Sequence, residues 1–239
     1  MEEKELKTSA KQRVGIIAIA VVMLGSIIAS YAAIVIGGGN SSSSSSNDES
    51  SISNEKMAQY QKEYSDKAAE FKTATENDYN KFIAYKSEIS AYNETAANSN
   101  GVETRDLLEG DGRELADGDK DYLAYYVGWC ADETIFDSSF DDTESPSAFN
   151  KALNASNGMI EGWNVGVVGM KLGGIRVITI PGELAYGENM EICGGYNKPL
   201  KFMIMAVANE EPLKTLSSEL DLAFVKLQYA YYGIDYDKL

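Results

Sequence analysis

The feature that most constrains this chain is an uncharged run of 23 residues, 14–36, made mainly of Ile, Val, Ala, Leu and Met. A helix of that length crosses the hydrocarbon core of a bilayer, which needs roughly 20 residues. Four basic residues lie within 1–13, and no Lys or Arg follows the run until Lys56. By the positive-inside rule, we expect a single-pass protein of the cell membrane, with 1–13 in the cytoplasm, 14–36 as a transmembrane anchor and the remainder outside. A cleaved signal peptide, with a site near 30–33, is the alternative.

The charge and composition of the chain limit its partners and its chemistry. The formal net charge is −16, and the acidic excess lies after the apolar run. Nucleic acid is therefore excluded as a partner, because a phosphate backbone needs a basic surface. The chain has no histidine, which excludes imidazole catalysis and the common zinc sites. Its two cysteines, Cys130 and Cys193, lack CxxC spacing, so we expect neither a metal site nor thiol chemistry.

Two segments have the spacing of amphipathic helices. A Gly/Ser-rich linker over 37–53 leads into 54–97, which contains neither Pro nor Gly. Apolar residues recur there every three or four positions, at Met57, Tyr60, Tyr64, Ala68 and Phe71 and then at Phe82, Tyr85, Ile89 and Tyr92. The tail, 213–239, repeats this spacing at Leu216, Leu220, Phe224, Leu227, Tyr231 and Ile234. The spacing over 54–97 predicts an amphipathic helix or a helical hairpin. Its apolar stripe could pack on this tail or could form a homodimer, and the sequence leaves both open.

The middle of the chain, 101–212, has a different character. Short β-type runs occur at 122–130, 175–180 and 200–207, separated by glycine-rich turns, and one short helix fits 163–170. Many short strands with one helix predict a small α+β domain. Aromatic residues lie at several of its turns, where each alone is more often part of a core than of a site. They are Tyr126, Phe136, Phe149, Trp163, Tyr186 and Phe202.

Four ordered blocks in this middle region resemble the FK506-binding protein (FKBP) family of peptidyl-prolyl cis-trans isomerases. They are GVETRDLLEGDGRELADGD at 101–119, YYVG at 125–128, FDSS at 136–139, and IEGWNVGVVGMKLGGIRVITIP with the following AYG within 160–187. The resemblance implies a twisted antiparallel sheet wrapped around one short helix. It also implies an enzyme that binds proline-containing polypeptides and accelerates rotation about X–Pro bonds without covalent chemistry or a cofactor.

The resemblance also assigns roles to individual residues. Trp163 would form the floor of an aromatic pocket, and Asp137 would face the twisting amide. The Ile160 N–H and the Tyr186 hydroxyl would hydrogen-bond to substrate carbonyls. The implied catalytic residues are Asp137, Tyr186, Phe136 and Trp163, and the implied substrate-binding residues are Tyr126, Phe149, Met159, Ile160 and Phe202.

Two of the chain's departures from the family pattern concern the polar and loop residues of the implied pocket. The family has an Arg after FDSS that pairs with the Asp, whereas this chain has Phe140-Asp141-Asp142. The loop after Tyr186 reads ICGGY where the family has an Ile-Pro-Pro-type stretch. In an oxidising exterior Cys130 and Cys193 could pair and fasten this loop; two separate buried thiols are the alternative. These departures motivate a second hypothesis, a non-catalytic FKBP-like scaffold or chaperone module at the membrane surface.

Overall fold

A computed structural model describes residues 52–239 of the chain. The segments 1–13 and 14–36, and all but the end of the linker 37–53, lie outside the described residues. The helices are α1 Asn54–Ile83, α2 Glu94–Ser99, α3 Glu161–Gly166 and α4 Leu213–Tyr231. The strands are β1 Glu103–Leu108, β2 Tyr122–Trp129, β3 Ile135–Ser138, β4 Leu153–Asn154, β5 Ile175–Ile180 and β6 Leu200–Ala208.

The centre of the molecule is an antiparallel sheet in the order β1-β5-β6-β2-β3, with the two-residue β4 also paired to β2. The three predicted β-type runs correspond to β2, β5 and β6. The predicted helix at 163–170 is α3, which begins two residues earlier and ends at Gly166. The expected α+β fold, an antiparallel sheet with one short helix on it, is therefore confirmed.

Strand β2 is buried at all eight positions, because both faces of the sheet are covered. Successive side chains of a strand point to opposite faces. Tyr122, Ala124 and Tyr126 face the core beside α3, and Leu123, Tyr125 and Val127 face the core beneath α1 and α4. We call these the inner core and the outer core. The inner core holds the candidate site, and the outer core attaches the helices to the domain.

Helix α1 has two halves with different partners. Its C-terminal half packs on the outer core through Phe71, Tyr79 and Phe82. Its N-terminal half pairs with α4, where Tyr64 lies against Phe224 with ring centroids 6.0 Å apart. Lys226 of α4 also forms a 2.7 Å ion pair with Glu63 of α1. Within the described residues, the helix therefore packs on the tail of the same chain, the first of the two alternatives that the sequence left open.

The end of the first helical segment differs from the prediction. We expected helix or a helical hairpin over 54–97, but α1 ends at Ile83 and the chain then runs along the end of the sheet. Two hydrogen bonds explain this path: the Trp129 indole donates to the Ser90 carbonyl (3.0 Å), and the Tyr92 N–H donates to Ala131 (3.1 Å). Tertiary contacts to the end of β2 therefore override the local helix preference.

The predicted tail helix is also shorter than expected. Helix α4 ends at Tyr231, and the chain turns at Gly233, whose positive φ of 79° favours glycine. Tyr231 and Ile234, two members of the predicted apolar stripe, are exposed rather than buried. The buried face of α4 includes Leu220 and Leu227 of the predicted stripe, together with Ser217, Ala223 and Ala230.

The apolar stripe of α1 is used within one chain. Tyr60, Phe71 and Phe82 have no exposed surface, and α4 and the sheet cover them. A homodimer through this face would require α4 to leave it. No helix between Ile52 and Leu239 combines the length and the apolar content needed to cross a membrane.

Two outer-core tyrosines provide a test of hydrogen bonding in this region. The Tyr79 hydroxyl donates to the Pro146 carbonyl at 2.6 Å, whereas the buried Tyr125 hydroxyl has no hydrogen-bond partner among residues 52–239. We expect Tyr79→Phe to lower the free energy of unfolding by about 1 kcal/mol. Tyr125→Phe should leave it unchanged or raise it, because it removes an unpaired buried polar group. Urea unfolding of both variants measures the difference, and the reverse order would contradict the assignment.

Candidate active site

Four aromatic side chains of the inner core form a continuous set of edge-to-face contacts. Trp163 at the start of α3 lies 5.7 Å from Tyr126 of β2 and 5.3 Å from Phe202 of β6, between ring centroids. Phe136 of β3 lies 5.5 Å from Phe202. The indole N–H of Trp163 donates to the Tyr122 hydroxyl at 3.0 Å, which fixes the ring. The four rings thus make an apolar surface with Trp163 nearly fully buried at its base.

Glycine permits the close approaches that this arrangement needs. A Cβ on Gly128 of β2 would lie 2.6 Å from Phe136 and 2.7 Å from Phe202. A Cβ on Gly162 of α3 would lie 2.2 Å from Ile180 of β5. These are steric overlaps, so a larger residue at either position would push the aromatic rings or the short helix away from the sheet.

Helix α3 is held against the sheet by a buried charge. The Arg176 guanidinium, from β5, donates to the carbonyls of Gly166 and Val168 at 2.9 Å each. These carbonyls lie at the C-terminal end of α3, where backbone acceptors lack partners within the helix. Asp106 of β1 completes the arrangement with a 2.6 Å ion pair to Arg176.

A polar cluster borders the aromatic surface on the β3 side. The Tyr126 hydroxyl donates to Oδ2 of Asp137. Lys151 forms an ion pair with Oδ1 at 2.7 Å, and the Ser138 N–H also donates to Oδ1 at 2.9 Å. Burial and the charge of Asp137 raise the pKa of Tyr126 well above its usual value, so its hydroxyl remains a hydrogen-bond donor at neutral pH. The basic group that pairs with Asp137 among the described residues is therefore Lys151, which lies outside the FDSS block.

Two further polar groups predicted for the site are available to a ligand. Among residues 52–239, neither the Ile160 N–H nor the Tyr186 hydroxyl is hydrogen-bonded. Burial and then the charge of Asp137 raise the pKa of Tyr186 to about 12, so this hydroxyl is also protonated at neutral pH. Met159, Ile160 and Tyr186 are half-buried and pack against the inner core, beside the aromatic surface.

Phe149 is the one predicted site residue that the structure places elsewhere. Its ring stacks on Tyr125 at 4.2 Å and contacts Tyr79 and Phe82 of α1 at 5.4 Å each. The chain around Phe149 pairs with Phe140, which directs the ring to the outer core. Phe149 therefore does not belong to the aromatic surface, because it lies on the other face of the sheet. The other eight predicted residues lie in or beside the inner core.

The loop between β5 and β6 is fastened at several points. Cys130 and Cys193 form a disulfide with their Cα atoms 5.5 Å apart, the first of the two alternatives from the sequence. The Gly182 N–H donates to the Asn98 side chain of α2 at 2.8 Å, and Lys198 pairs with Glu94 at 2.8 Å. This loop carries Tyr186, so α2 and the disulfide both position that residue.

Several residues of the site escaped sequence reasoning. Lys151 carried no signal of its own, because a single lysine in a polar segment is usually solvated. Asn98 lies far from the loop in sequence and reaches it only through the fold. Gly128 stands within the YYVG block, and a glycine inside an otherwise apolar β-type run was the one usable signal.

The geometry of these residues is sufficient to define a class of site. It combines a water-excluding aromatic surface, one ion-paired carboxylate and two hydrogen-bond donors without internal partners. It presents no paired nucleophile and base, so it suits an enzyme that binds and distorts a peptide rather than one that breaks covalent bonds.

Comparisons with known proteins agree with this class. Residues 112–207 match the family model of the FKBP-type peptidyl-prolyl cis-trans isomerases. An FK506-binding protein of Neisseria meningitidis serogroup B is 37% identical over 107 residues, which are 45% of this chain and 92% of the relative. The relative from a serogroup A strain is 42% identical over 102 residues, 43% of this chain and 87% of the relative. The crystal structure of AtFKBP13 is similar at 29% identity and a TM-score of 0.35, covering 46% of this chain and 94% of that one.

The chain belongs to the FKBP-type peptidyl-prolyl cis-trans isomerase family. The matched residues cover the sheet from β2 to β6 together with α3, and so include every residue of the aromatic surface. Helices α1 and α4 lie outside the match.

The disulfide provides a stability prediction. Cys130 and Cys193 are 63 residues apart, and closing a loop of that size restricts the unfolded chain. Replacing both with Ser should lower the free energy of unfolding by roughly 2–4 kcal/mol. Chemical denaturation with and without reductant measures the effect. Reductant should destabilise the original protein and leave the double-serine variant unchanged; equal sensitivity of the two would contradict the pairing.

Proposed function

We propose that this protein accelerates cis-trans rotation of X–Pro bonds in polypeptides outside the cytoplasm, anchored to the cell membrane through residues 14–36. The observation that carries the activity is the aromatic surface of Tyr126, Phe136, Trp163 and Phe202 bordered by Asp137. A proline ring is apolar and compact, and such a surface buries it while the flanking peptide groups meet polar atoms at the border.

The chemistry follows from amide resonance. Rotation about a peptide bond has a barrier of ~18–20 kcal/mol, because resonance keeps the group planar. Uncatalysed X–Pro rotation takes tens of seconds or longer. The planar amide is the more charge-separated form, and water stabilises it. Enclosing the bond among Phe136, Trp163 and Phe202 removes that water and favours the twisted form.

Polar groups at the border supply the rest of the proposed mechanism. The Ile160 N–H and the Tyr186 hydroxyl would each donate a hydrogen bond to a substrate carbonyl. Asp137 would face the twisting amide. Fixed groups that fit the twisted geometry better than the planar one lower the barrier without reorganising during the reaction. Proton transfer is not required, which agrees with a chain that lacks histidine.

A matched pair of phenylalanine substitutions tests this function. Phe136→Leu should lower kcat/KM for a proline-containing peptide about tenfold, or about 1.4 kcal/mol of transition-state stabilisation, with stability retained. Phe149→Leu should instead lower the free energy of unfolding by about 1 kcal/mol and leave kcat/KM unchanged, because Phe149 lies in the outer core. A protease-coupled isomerisation assay on the full chain in detergent measures both. No acceleration by the original protein, with peptide binding intact, would support the scaffold hypothesis instead.

The proposed location rests on the charge asymmetry around 14–36, and the Cys130–Cys193 disulfide supports it, because disulfides persist in oxidising compartments. Protease added outside protoplasts or spheroplasts should digest a C-terminal epitope on the full chain. In membranes that have not been treated with protease, the same epitope should remain after an alkaline wash. Release of a soluble protein shortened at its N-terminus would indicate a cleaved signal peptide. An epitope protected until lysis would contradict the proposed orientation.

A further inference from the structure

Lys151 lies at the border of the aromatic surface, where it contacts both Asp137 and Tyr126. Its ammonium group lies 2.7 Å from Oδ1 of Asp137 and 5.4 Å from the centroid of the Tyr126 ring. The side chains of Lys151 and Asp137 are 27% and 20% exposed. Water therefore screens this pair less than it screens the ion pairs of the open surface.

The carboxylate of Asp137 is held by three donors that leave it one orientation. Tyr126 donates to Oδ2, while Lys151 and the Ser138 N–H share Oδ1. The tyrosine hydroxyl and the backbone N–H are neutral dipoles, so Lys151 is the one positive charge bonded to this carboxylate among the described residues. Removing it would leave a half-buried negative charge with reduced compensation, and rotation of Asp137 towards water would become favourable.

We propose that Lys151 is a positioning residue for the isomerase reaction, holding the Asp137 carboxylate in the orientation that faces the twisting amide. This inference rests on the proposed role of Asp137. Lys151 acts through Asp137 and does not contact the substrate. It performs the task from the segment before β4, whereas the family pattern assigns a basic residue directly after the FDSS block.

The charge environment of Lys151 includes a second acidic group. Asp221 of α4 is near enough for its charge to interact with that of Lys151. Lys151 is therefore near two carboxylates, that of Asp137 in the candidate site and that of Asp221 in the C-terminal helix.

Three substitutions in the full chain, purified in detergent, separate this role from a structural one. Lys151→Met keeps an apolar stem and removes the charge, and Lys151→Arg keeps the charge. Lys226→Met is the matched control, because Lys226 also forms a 2.7 Å ion pair, is 17% exposed and lies over a tyrosine ring, that of Tyr60, 6.0 Å from its centroid. Lys151→Gln replaces the methionine variant if that variant does not fold.

We expect Lys151→Met to lower kcat for a proline-containing peptide about tenfold, with KM changed less than about twofold. Lys151→Arg should restore most of the loss, and Lys226→Met should leave both constants unchanged. An unchanged kcat in Lys151→Met would overturn the proposal. A similar loss in Lys226→Met would also overturn it, because the effect would then belong to ion pairs in general.

A double-mutant cycle tests whether Lys151 acts through Asp137. In an Asp137→Asn background, Lys151→Met should lower kcat by less than about twofold, since the group that Lys151 holds is already neutral. The same tenfold loss in that background would show that Lys151 acts independently of Asp137, and would overturn the positioning role. An original protein without isomerase activity is a different outcome, because it contradicts the proposed function itself.

Discussion

Burial of β2 on both faces is the constraint on which the rest of the molecule depends. Tyr125 and Tyr126 are neighbours in sequence and belong to different cores: Tyr125 stacks on Phe149 beneath α1, and Tyr126 meets Trp163 at the pocket. A strand covered on one face alternates apolar and polar residues, but this strand is apolar throughout. Helix α1 is therefore a structural part of the catalytic domain, because it covers an aromatic surface that would otherwise be exposed to water.

At both of these departures from the family pattern, the structure forms contacts between residues that are distant in sequence. Asp137 lacks the Arg that follows the family's block, and Lys151 reaches it from fourteen residues away. The glycine-rich loop after Tyr186 is fastened by a disulfide to the end of β2 and by Asn98 and Glu94 of α2. The segment between α1 and β1 thus supports the loop that carries Tyr186, and changes in α2 are expected to alter the pocket without touching it.

The three main strands, the short helix and the placement of eight of the nine candidate residues in or beside the inner core could be predicted, because their blocks stand in a fixed order with little freedom between them. Phe149 could not be placed, because the chain between β3 and β4 is irregular and nothing local determines which face its ring meets. The end of α1 at Ile83 depends on the bond from Trp129 to Ser90, which joins residues 39 apart. The disulfide was undecided for a similar reason, since its formation depends on a Cα separation that only the fold defines.

The first described residue lies beside the last turn of α4, because the Ile52 N–H donates to the Gly233 carbonyl at 3.0 Å. Tyr60 and Lys56 of α1 bond to Asp235 and Asp237 at the same end. For a chain held by its N-terminal segment, a pull on a polypeptide in the pocket would reach the anchor along α1, roughly 45 Å long at 1.5 Å per residue. The load would then pass from the sheet that carries the pocket into α1, in shear across the side-chain contacts of the outer core.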